Sequence, residues 1–301
     1  MTRAGFAALD AGGLNWDSLP LRLWRKGNAM FWNAEDIDLS AEAEGWATLD
    51  GDDLAAASRL SAMFLAGEEA VTHDIQPFLA AMSAEGRLGD EMYLAQFCFE
   101  EARHTEAFRR WFDAVGATDD LNPLVADNPG YRALFLEALP AALGALHDDP
   151  SPANQVRASV TYNHIVEGVL ALTGYHAWNQ VCQARGILPG MQAIVRHIGQ
   201  DERRHMAWGT FTCRRHIAAD PALYDVVEET MGELLPAALA AISFLDQYDQ
   251  PLGLDVAEFV TYAASRAQRR MAAIAAAKGD DAASVEIDQS PVALEDELAT
   301  T

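Results

Sequence analysis

Two short motifs combine a glutamate and a histidine at the same spacing. Glu101 and His104 stand three residues apart in F-E-E-A-R-H, and Glu202 and His205 do the same in D-E-R-R-H. On a helix, residues three apart lie on one face, so each pair can direct both side chains to one point. A carboxylate and an imidazole that converge in this way can bind a metal ion. One copy can arise by chance in a chain with 45 acidic residues, but the second copy favours a real site.

Two further glutamates complete the pattern. Glu68 precedes Glu101 by 33 residues, and Glu167 precedes Glu202 by 35. Each lies on the predicted helix just before the one that carries an E-x-x-H motif. The order along the chain is therefore Glu, E-x-x-H, Glu, E-x-x-H, which predicts a helical hairpin that occurs twice.

This ligand set is typical of dinuclear carboxylate proteins built on four-helix bundles. Four carboxylates bring four negative charges into an apolar core, which cannot hold them unpaired, and two divalent cations would neutralise them. Oxygen-rich ligation with one imidazole per metal favours iron or manganese, and the lack of thiolates argues against copper(I) and structural zinc. Asp201, directly before Glu202, can accept a hydrogen bond from a ligand histidine and fix its tautomer. A solvated acidic side chain is the alternative for Asp201.

Long helices must position these residues. From Asp52 onward, apolar residues recur at spacings of three and four among strong helix formers, and glycines and prolines separate the segments. Four segments run well past the usual mean helix length of about 11 to 12 residues, which indicates a bundle. The sequence predicts an all-α fold, a four-helix bundle core with additional helices, with segments near 52–85, 88–116, 130–147, 152–184, 189–218, 221–248 and 255–277.

The chain divides into three parts by composition. Residues 1–50 carry turn signals and several aromatic side chains without a sustained period, which predicts an arm packed on the bundle. Residues 51–278 form the predicted helical bundle with the dinuclear metal site. Residues 279–301 are polar and acidic and contain no aromatic residue, so we expect a flexible acidic tail there.

Charge and cysteine content restrict the possible partners. The formal charge of -24 argues against binding to nucleic acid or an anionic membrane, since both require a basic surface. The three cysteines, Cys98, Cys182 and Cys213, are far apart and predict neither a disulfide framework nor a zinc ribbon. The apolar runs are too short to span a bilayer, and the N-terminal residues lack a signal core. We expect a cytoplasmic protein with no membrane span and no nucleic-acid partner.

With the six candidate ligands in place, the chain resembles the small subunit of class I ribonucleotide reductase. The stretch F-W-N-A-E-D-I-D-L-S at 31–40, followed by W-A-T-L at 46–49, is similar to the arm that precedes the bundle of that subunit. The chain most resembles the ligand-binding oxidases that share this fold, on the stretches at 67–78, 158–168 and 201–211. The resemblance covers about residues 14–280 and implies a ferritin-like fold of the reductase small-subunit type.

The resemblance also implies a mixed metal centre with one manganese and one iron. Both sites offer the same ligand types, so the residues themselves do not separate the metals, and two irons are the alternative. By the resemblance, Glu101 is available to bridge the metals. The manganese ligands would be Glu68, Glu101 and His104, and the iron ligands Glu167, Glu202 and His205.

Two further features are implied by the resemblance: a long-chain fatty acid bound at the metals, and an ether cross-link between a valine and a tyrosine. Val71 and Tyr162 are the matching residues. Val71 lies about one turn beyond Glu68, on roughly the same face. Tyr162 precedes Glu167 by five residues, which is off-face in an ideal α-helix unless a π-bulge or a neighbouring helix brings it close. Plain core packing is the alternative for both side chains.

Three functions fit these residues, and we rank an O2-activating dinuclear metal oxidase first. A manganese/iron ribonucleotide reductase small subunit is second, and ferritin-like iron storage is third. Phe108 stands four residues after His104, where a reductase typically has its radical tyrosine, and no aromatic residue follows Tyr262 to relay a radical. The resemblance and the frequency of symmetric oligomers lead us to expect a homodimer.

Overall fold

The computed structural model describes residues 5–248 and 250–299. These ranges contain helices and connecting turns but no strand, which confirms the all-α prediction. The α-helices are α1 (Leu19–Ala29), α2 (Glu42–Trp46), α3 (Gly51–Asp74), α4 (Gln76–Glu85), α5 (Leu88–Ala114), α6 (Pro123–Ala126), α7 (Pro129–Arg132), α8 (Leu139–Gly144), α9 (Pro152–Ser159), α10 (Leu172–Arg185), α11 (Pro189–Ala219), α12 (Tyr224–Ser243), α13 (Val256–Ala275), α14 (Ala282–Ile287) and α15 (Ser290–Leu298).

Two stretches of π-helix interrupt the α-helices, at Ala133–Ala138 and Val160–Ala171. The second, called here the central π-helix, joins α9 to α10 without a break and is buried along most of its length. Short 3₁₀ segments cover Ala7–Leu9, Ala34–Asp36, Ala145–His147, Pro221–Leu223, Phe244–Gln247 and Pro251–Gly253.

Four long helical stretches surround the centre of the bundle. Helix α3 packs on α5, and α11 packs on α5, on α10 and on the central π-helix. Their facing sides are apolar, so burial of these sides holds the bundle together. The candidate ligands lie on these stretches: Glu68 on α3, Glu101 and His104 on α5, Glu167 on the central π-helix, and Glu202 and His205 on α11.

The predicted helix at 52–85 is divided in two by the structure. Helix α3 ends at Asp74 and α4 begins at Gln76, with Pro77 in the first turn of α4. Proline cannot donate a backbone hydrogen bond, and its ring would clash with the carbonyl four residues earlier in a continuous helix. The chain therefore turns at Ile75. Glu68 lies in the last two turns of α3.

The N-terminal residues pack on the bundle through α1, which contacts α5 and α11. Leu19, Leu21 and Leu23 are buried there. Beyond α1, the side chain of Trp32 reaches into the bundle and is 7% exposed. The arm is therefore in contact with the helices that carry the E-x-x-H motifs.

The sequence predicts a flexible tail from residue 279, and the structure instead gives two short helices there, α14 and α15, which pack on α11. Arg270 and Glu295 form an ion pair that is almost fully buried, with Nε to Oε1 at 2.8 Å and Nη2 to Oε2 at 2.6 Å. Arg214 bonds Asp288 at 2.8 Å in the same region. The acidic residues thus have basic partners on the bundle. None of the helices in the described ranges is long and apolar enough to cross a lipid bilayer.

Candidate metal centre

Two groups of buried carboxylates and imidazoles lie at the centre of the bundle. Within each group, one potential ligand atom per residue lies within 4.8 Å of the others. All six sequence-predicted ligands are brought together, and Glu101 and Glu202 belong to both groups. The first group is Glu68, Glu101, His104 and Glu202, and the second is Glu101, Glu167, Glu202 and His205.

In the first group, Nδ1 of His104 points at the carboxylates. It lies 3.2 Å from Oε2 of Glu68, 3.5 Å from Oε1 of Glu202 and 3.6 Å from Oε2 of Glu101. These atoms come from α3, α5 and α11, so the first group exists only when three helices are packed together. The second ring nitrogen, Nε2, faces away from the group.

The second group repeats this arrangement around His205. Its Nδ1 lies 3.0 Å from Oε1 of Glu101, 3.5 Å from Oε1 of Glu167 and 3.6 Å from Oε2 of Glu202. Glu101 thus presents one oxygen to each histidine, and so does Glu202. Two carboxylates shared in this way suit a pair of adjacent metal ions.

Several of these buried atoms have no hydrogen-bond partner among the described residues: Oε1 of Glu101, Oε1 of Glu167, Oε2 of Glu202 and Nδ1 of His205. An unsatisfied polar atom in a protein core costs about 1–3 kcal/mol, and more when it is charged. Here the unsatisfied atoms converge on a common point instead of being scattered. Four carboxylates and two neutral imidazoles together match the charge of two divalent cations, so the residues fit a dinuclear metal site.

The pKa values indicate that protons occupy the site when metal is absent. Burial raises the pKa of Glu68 and Glu202, and it raises the pKa of Glu167 to about 7. Burial opposes the charged imidazolium of His104, but the Glu68 carboxylate outweighs it and raises the pKa of that histidine. Burial would likewise raise the pKa of Glu101, but the two histidines beside it outweigh burial and lower that pKa below its usual range. Metal ions would have to displace these protons.

Asp201 orients the first histidine, as the sequence predicted for one of the two. Its Oδ2 lies 3.1 Å from Nε2 of His104 and also accepts hydrogen bonds from Trp32 Nε1 at 2.8 Å and Arg103 Nη2 at 2.7 Å. Arg204 donates to the other oxygen at 2.7 Å. Burial would raise the pKa of Asp201, but His104, Arg204 and Arg103 hold it well below its usual range. A charged acceptor at Nε2 fixes the tautomer that leaves Nδ1 free for a metal.

Glu100 does the same for the second histidine, and the sequence interpretation missed it. Glu100 is 2% exposed, and its Oε2 lies 2.9 Å from Nε2 of His205. Its other oxygen accepts a hydrogen bond from Arg204 at 2.6 Å. A signal was present, because in both E-x-x-H motifs the glutamate is directly preceded by an acid and the histidine by an arginine. Each acid supports the histidine of the opposite motif.

Two further side chains position Glu68 and Glu167, the ligand glutamates outside the E-x-x-H motifs. The hydroxyl of Tyr175 donates a hydrogen bond to Oε1 of Glu68, and Nδ2 of Asn163 donates to Oε2 of Glu167 at 3.0 Å. A Cβ at Gly209 would lie 2.5 Å from the side-chain oxygen of Asn163, so only glycine leaves room for that amide. Nothing in the spacing of the sequence singled out either residue.

The cross-link candidates are both buried beside the carboxylates. Val71 lines a cavity together with Glu68 and Glu101. Tyr162 lies in the central π-helix, its ring is stacked on Phe97 with centroids 5.7 Å apart, and its hydroxyl has no hydrogen-bond partner among the described residues. Backbone hydrogen bonds of a π-helix join residues five apart, so Tyr162 and Glu167 come closer than an α-helix would allow.

The cavity that Val71 lines is apolar away from the carboxylates. Its walls include Leu60, Phe64, Phe135 and Phe259, which come from α3, the first π-helix and α13. An elongated apolar molecule would find complementary walls here, with four acidic groups at one end. The other six histidines lie outside both ligand groups: His73, His147, His164, His176, His197 and His216.

The fold and the site are those of a known family. A family model described as "Ribonucleotide reductase, small chain" matches residues 19–278. The chain belongs to the ribonucleotide reductase small chain family. This places the buried carboxylates and histidines in a family of dinuclear metal oxidoreductases.

Within that family, the chain is similar to solved structures of R2-like ligand-binding oxidase. One of them, with an aerobically reconstituted Mn/Fe cofactor, is 33% identical, with a TM-score of 0.86 over 91% of this chain and 98% of that chain. A glycine-to-leucine variant with an Fe/Fe cofactor is also 33% identical, with a TM-score of 0.86 over 91% of this chain and 99% of that one. A tyrosine-to-phenylalanine variant with a Mn/Fe cofactor is 34% identical, with a TM-score of 0.84 over 90% of this chain and 98% of that one. The chain is therefore a dinuclear metal oxidase in its fold and ligand set.

Proposed function

We propose that this protein activates O2 at a centre with one manganese and one iron, and uses it to join Val71 to Tyr162 by an ether bond. The observation that carries this proposal is the pair of four-residue groups that share Glu101 and Glu202. Two metals held by shared carboxylates stand close enough to act on one O2 molecule. The Mn/Fe cofactor of the similar oxidase structures supports the choice of metals.

The metals are assigned by likeness to the related oxidases. Manganese is held by the half with His104, and iron by the half with His205. The donor atoms are the same in both halves, so the preference must come from the surroundings of each half. An Fe/Fe centre is the alternative, and a similar structure carries one.

The side chains of this protein supply both reacting groups. Two such metals, when bound and reduced, supply electrons to O2. Burial and the nearby Glu101 raise the pKa of Tyr162, so its hydroxyl keeps its proton until it is oxidised. Val71 is 3% exposed, which keeps water away from the reacting carbon.

Electrons and atoms balance in this reaction. The C–O bond replaces one C–H bond of Val71 and the O–H bond of Tyr162, so two electrons and two protons leave the side chains. O2 accepts these, and it takes two further electrons from the reduced metals and two protons from solvent to reach the level of two waters.

We further propose that the apolar cavity holds a long-chain fatty acid with its carboxylate toward the metals. The aliphatic and aromatic walls favour an apolar chain, and the charge of the metals favours an anionic head group. We also expect a homodimer in the cytoplasm.

A manganese/iron reductase small subunit is the second candidate, because the family includes that activity. Phe108 alone does not separate the two candidates, because some reductases also lack the tyrosine at this position. This residue is fully buried and packs between Phe64 and Tyr175, with centroids 5.4 Å and 6.4 Å away, where a reductase typically has a radical tyrosine. Iron storage ranks third. The acids that contact the two ligand histidines are held by buried ion pairs, and this suits metal ions that stay bound rather than iron that is stored and released.

Peptide mapping by mass spectrometry tests the proposal. Protein loaded with manganese and iron in air should yield one peptide species that joins Val71 to Tyr162 and lacks two hydrogens, and protein loaded without O2 should not. Tyr162→Phe is the matched control, since it keeps the ring and removes the hydroxyl. An unlinked aerobic protein that activates a reductase large subunit would overturn the proposal in favour of the second candidate.

Metal analysis tests the cofactor separately. After loading with both metals, elemental analysis should find manganese and iron in about equal amounts. Two irons under every loading condition would contradict the mixed centre but would leave the cross-link to be judged by the peptide map.

A further inference from the structure

A second cavity, of about 410 Å³, opens beside the bundle and is polar in character. It lies between α10, α11, α13 and α15, and its rim includes the exposed residues Arg196 and Gln183. Tyr175 is the residue that lines both this cavity and the apolar cavity at the carboxylates. We call it the polar pocket.

Two arginines of α11 face the polar pocket. Arg196 and Arg203 are seven residues apart, which is about two turns, so they lie on one side of the helix. Among residues 5–248 and 250–299, neither guanidinium forms an ion pair or a hydrogen bond. This is unusual in a chain with a formal charge of -24, where most other arginines pair with an acid.

The acidic residues near the pocket offset these charges only in part, through Asp296 and Glu295 near Arg203. Glu295 lines the pocket, but both of its oxygens are held by Arg270, at 2.8 Å and 2.6 Å. Asp296, on the next position of α15, pairs with Lys26 at 3.4 Å on the surface.

Neutral groups that can hydrogen-bond cover the rest of the pocket. The amides of Asn179 and Gln200 line it, and the ring of His176 is stacked on Tyr262 with centroids 4.4 Å apart and planes 7° from parallel. Burial and Arg266 lower the pKa of His176, so its ring is neutral. Its Nε2 accepts a hydrogen bond from the Gln180 amide at 3.0 Å, which leaves the N–H of the other ring nitrogen as a donor. The walls therefore suit a polar molecule rather than an apolar one.

We propose that the polar pocket is a binding site for a small molecule with a carboxylate or phosphate group, which Arg196 and Arg203 hold. Guanidinium groups bind oxyanions through paired, charge-assisted hydrogen bonds. The N–H donors of Arg196 and Arg203 are available for such bonds. The site is distinct from the metal centre and does not depend on what the metals oxidise. Its ligand would rest against Tyr175, the hydrogen-bond partner of Glu68.

Calorimetric titration of the metal-loaded protein tests this site. Inorganic phosphate and succinate are the two probes, each titrated at constant ionic strength so that general charge screening is equal. We expect one of them to bind the unmodified protein, and the doubly substituted Arg196→Gln, Arg203→Gln protein to bind it at least about tenfold more weakly. The probe that binds more tightly identifies the head group as phosphate or carboxylate.

Two control proteins make the result specific. Arg22→Gln with Arg157→Gln removes the same charge from exposed surface positions, where each arginine has one acidic partner, and should leave probe affinity within about twofold. Arg203→Lys keeps the charge and removes the guanidinium fork, so an intermediate affinity is expected. Equal binding by the unmodified and the doubly substituted proteins, or no binding of either probe, would overturn the proposal.

Discussion

The half of the metal centre around His104 rests on regular α-helices, whereas the half around His205 depends on twelve residues of π-helix. Glu68 projects from an ordinary helix and is held by a tyrosine hydroxyl. Glu167 projects from the central π-helix and is held by an amide. The two halves thus offer the same donor atoms from backbones of different geometry.

The acids that hydrogen-bond to the two ligand histidines also differ between the halves. Asp201 accepts four hydrogen bonds, including one from Trp32 of the N-terminal arm, whereas Glu100 accepts two. Arg103 stacks over Trp32 at 4.5 Å and also bonds the Trp32 carbonyl. The half around His104 is therefore tied to the N-terminal arm through Trp32. The two sites have the same ligand types but differ in the side chains that hydrogen-bond to those ligands. A preference between manganese and iron can arise from this difference.

Substitution of a shared ligand should have the largest effect on both halves. Glu101→Gln removes a charge that faces both histidines, so we expect metal affinity to fall by about 100-fold or more at both sites. Elemental analysis after gel filtration measures this loss. The control is Glu69→Gln, which changes an exposed neighbour of Glu68 and should bind the metals fully. Loss of only one metal in the Glu101→Gln protein would show that the halves are independent.

Substitution of the supporting acids should separate the two halves. Asp201→Asn should weaken the half around His104, and Glu100→Gln the half around His205, each by about 10- to 100-fold in metal affinity. The Asp201→Asn protein should be the less stable of the two, because that change leaves more buried donors without a charged acceptor. Anomalous diffraction at the manganese and iron edges reports each site. Equal losses at both sites in both proteins would contradict the comparison.

Metal affinity should rise with pH between about 6 and 8. The pKa of Glu167 is about 7, and those of Glu68 and Glu202 are raised as well, so protons compete with metal at the lower pH. We expect about a tenfold gain per pH unit for each proton released. Calorimetry in two buffers of different ionisation enthalpy counts those protons.

The metal-free protein should show the opposite trend in stability. A carboxyl whose pKa is raised on folding binds more protons in the folded state, so the free energy of unfolding should fall as pH rises from about 4.5 to 7. A thermal melting temperature that rises with pH over that window would contradict these pKa directions.

Removal of the link to the arm should have the smallest effect. Trp32→Phe deletes one hydrogen bond to Asp201, and a bond to a charged group is worth about 1.5–3 kcal/mol. We expect a lower unfolding free energy with both metals still bound, measured by denaturant titration of the loaded protein. Trp16→Phe is the control, because that indole is 49% exposed.

Much of this arrangement could be predicted from the sequence. Helix ends followed from prolines and glycines, and the six candidate ligands followed from a motif that occurs twice. Glu100 could not be found from periodicity, because a residue about 100° around the helix from Glu101 faces either solvent or a neighbouring helix, and the spacing does not say which. The helices after residue 279 were missed because their partners, Arg214 and Arg270, lie far away in the sequence.

The central π-helix restricts how this chain can change in length. A deletion of one residue of this segment outside 162–167 would let it relax toward an α-helix, where Tyr162 and Glu167, five residues apart, would point about 140° away from each other. Either Tyr162 or Glu167 would then leave the centre, although no ligand had been replaced. The spacing of five residues between Tyr162 and Glu167 thus brings both to the centre only on a π-helical backbone.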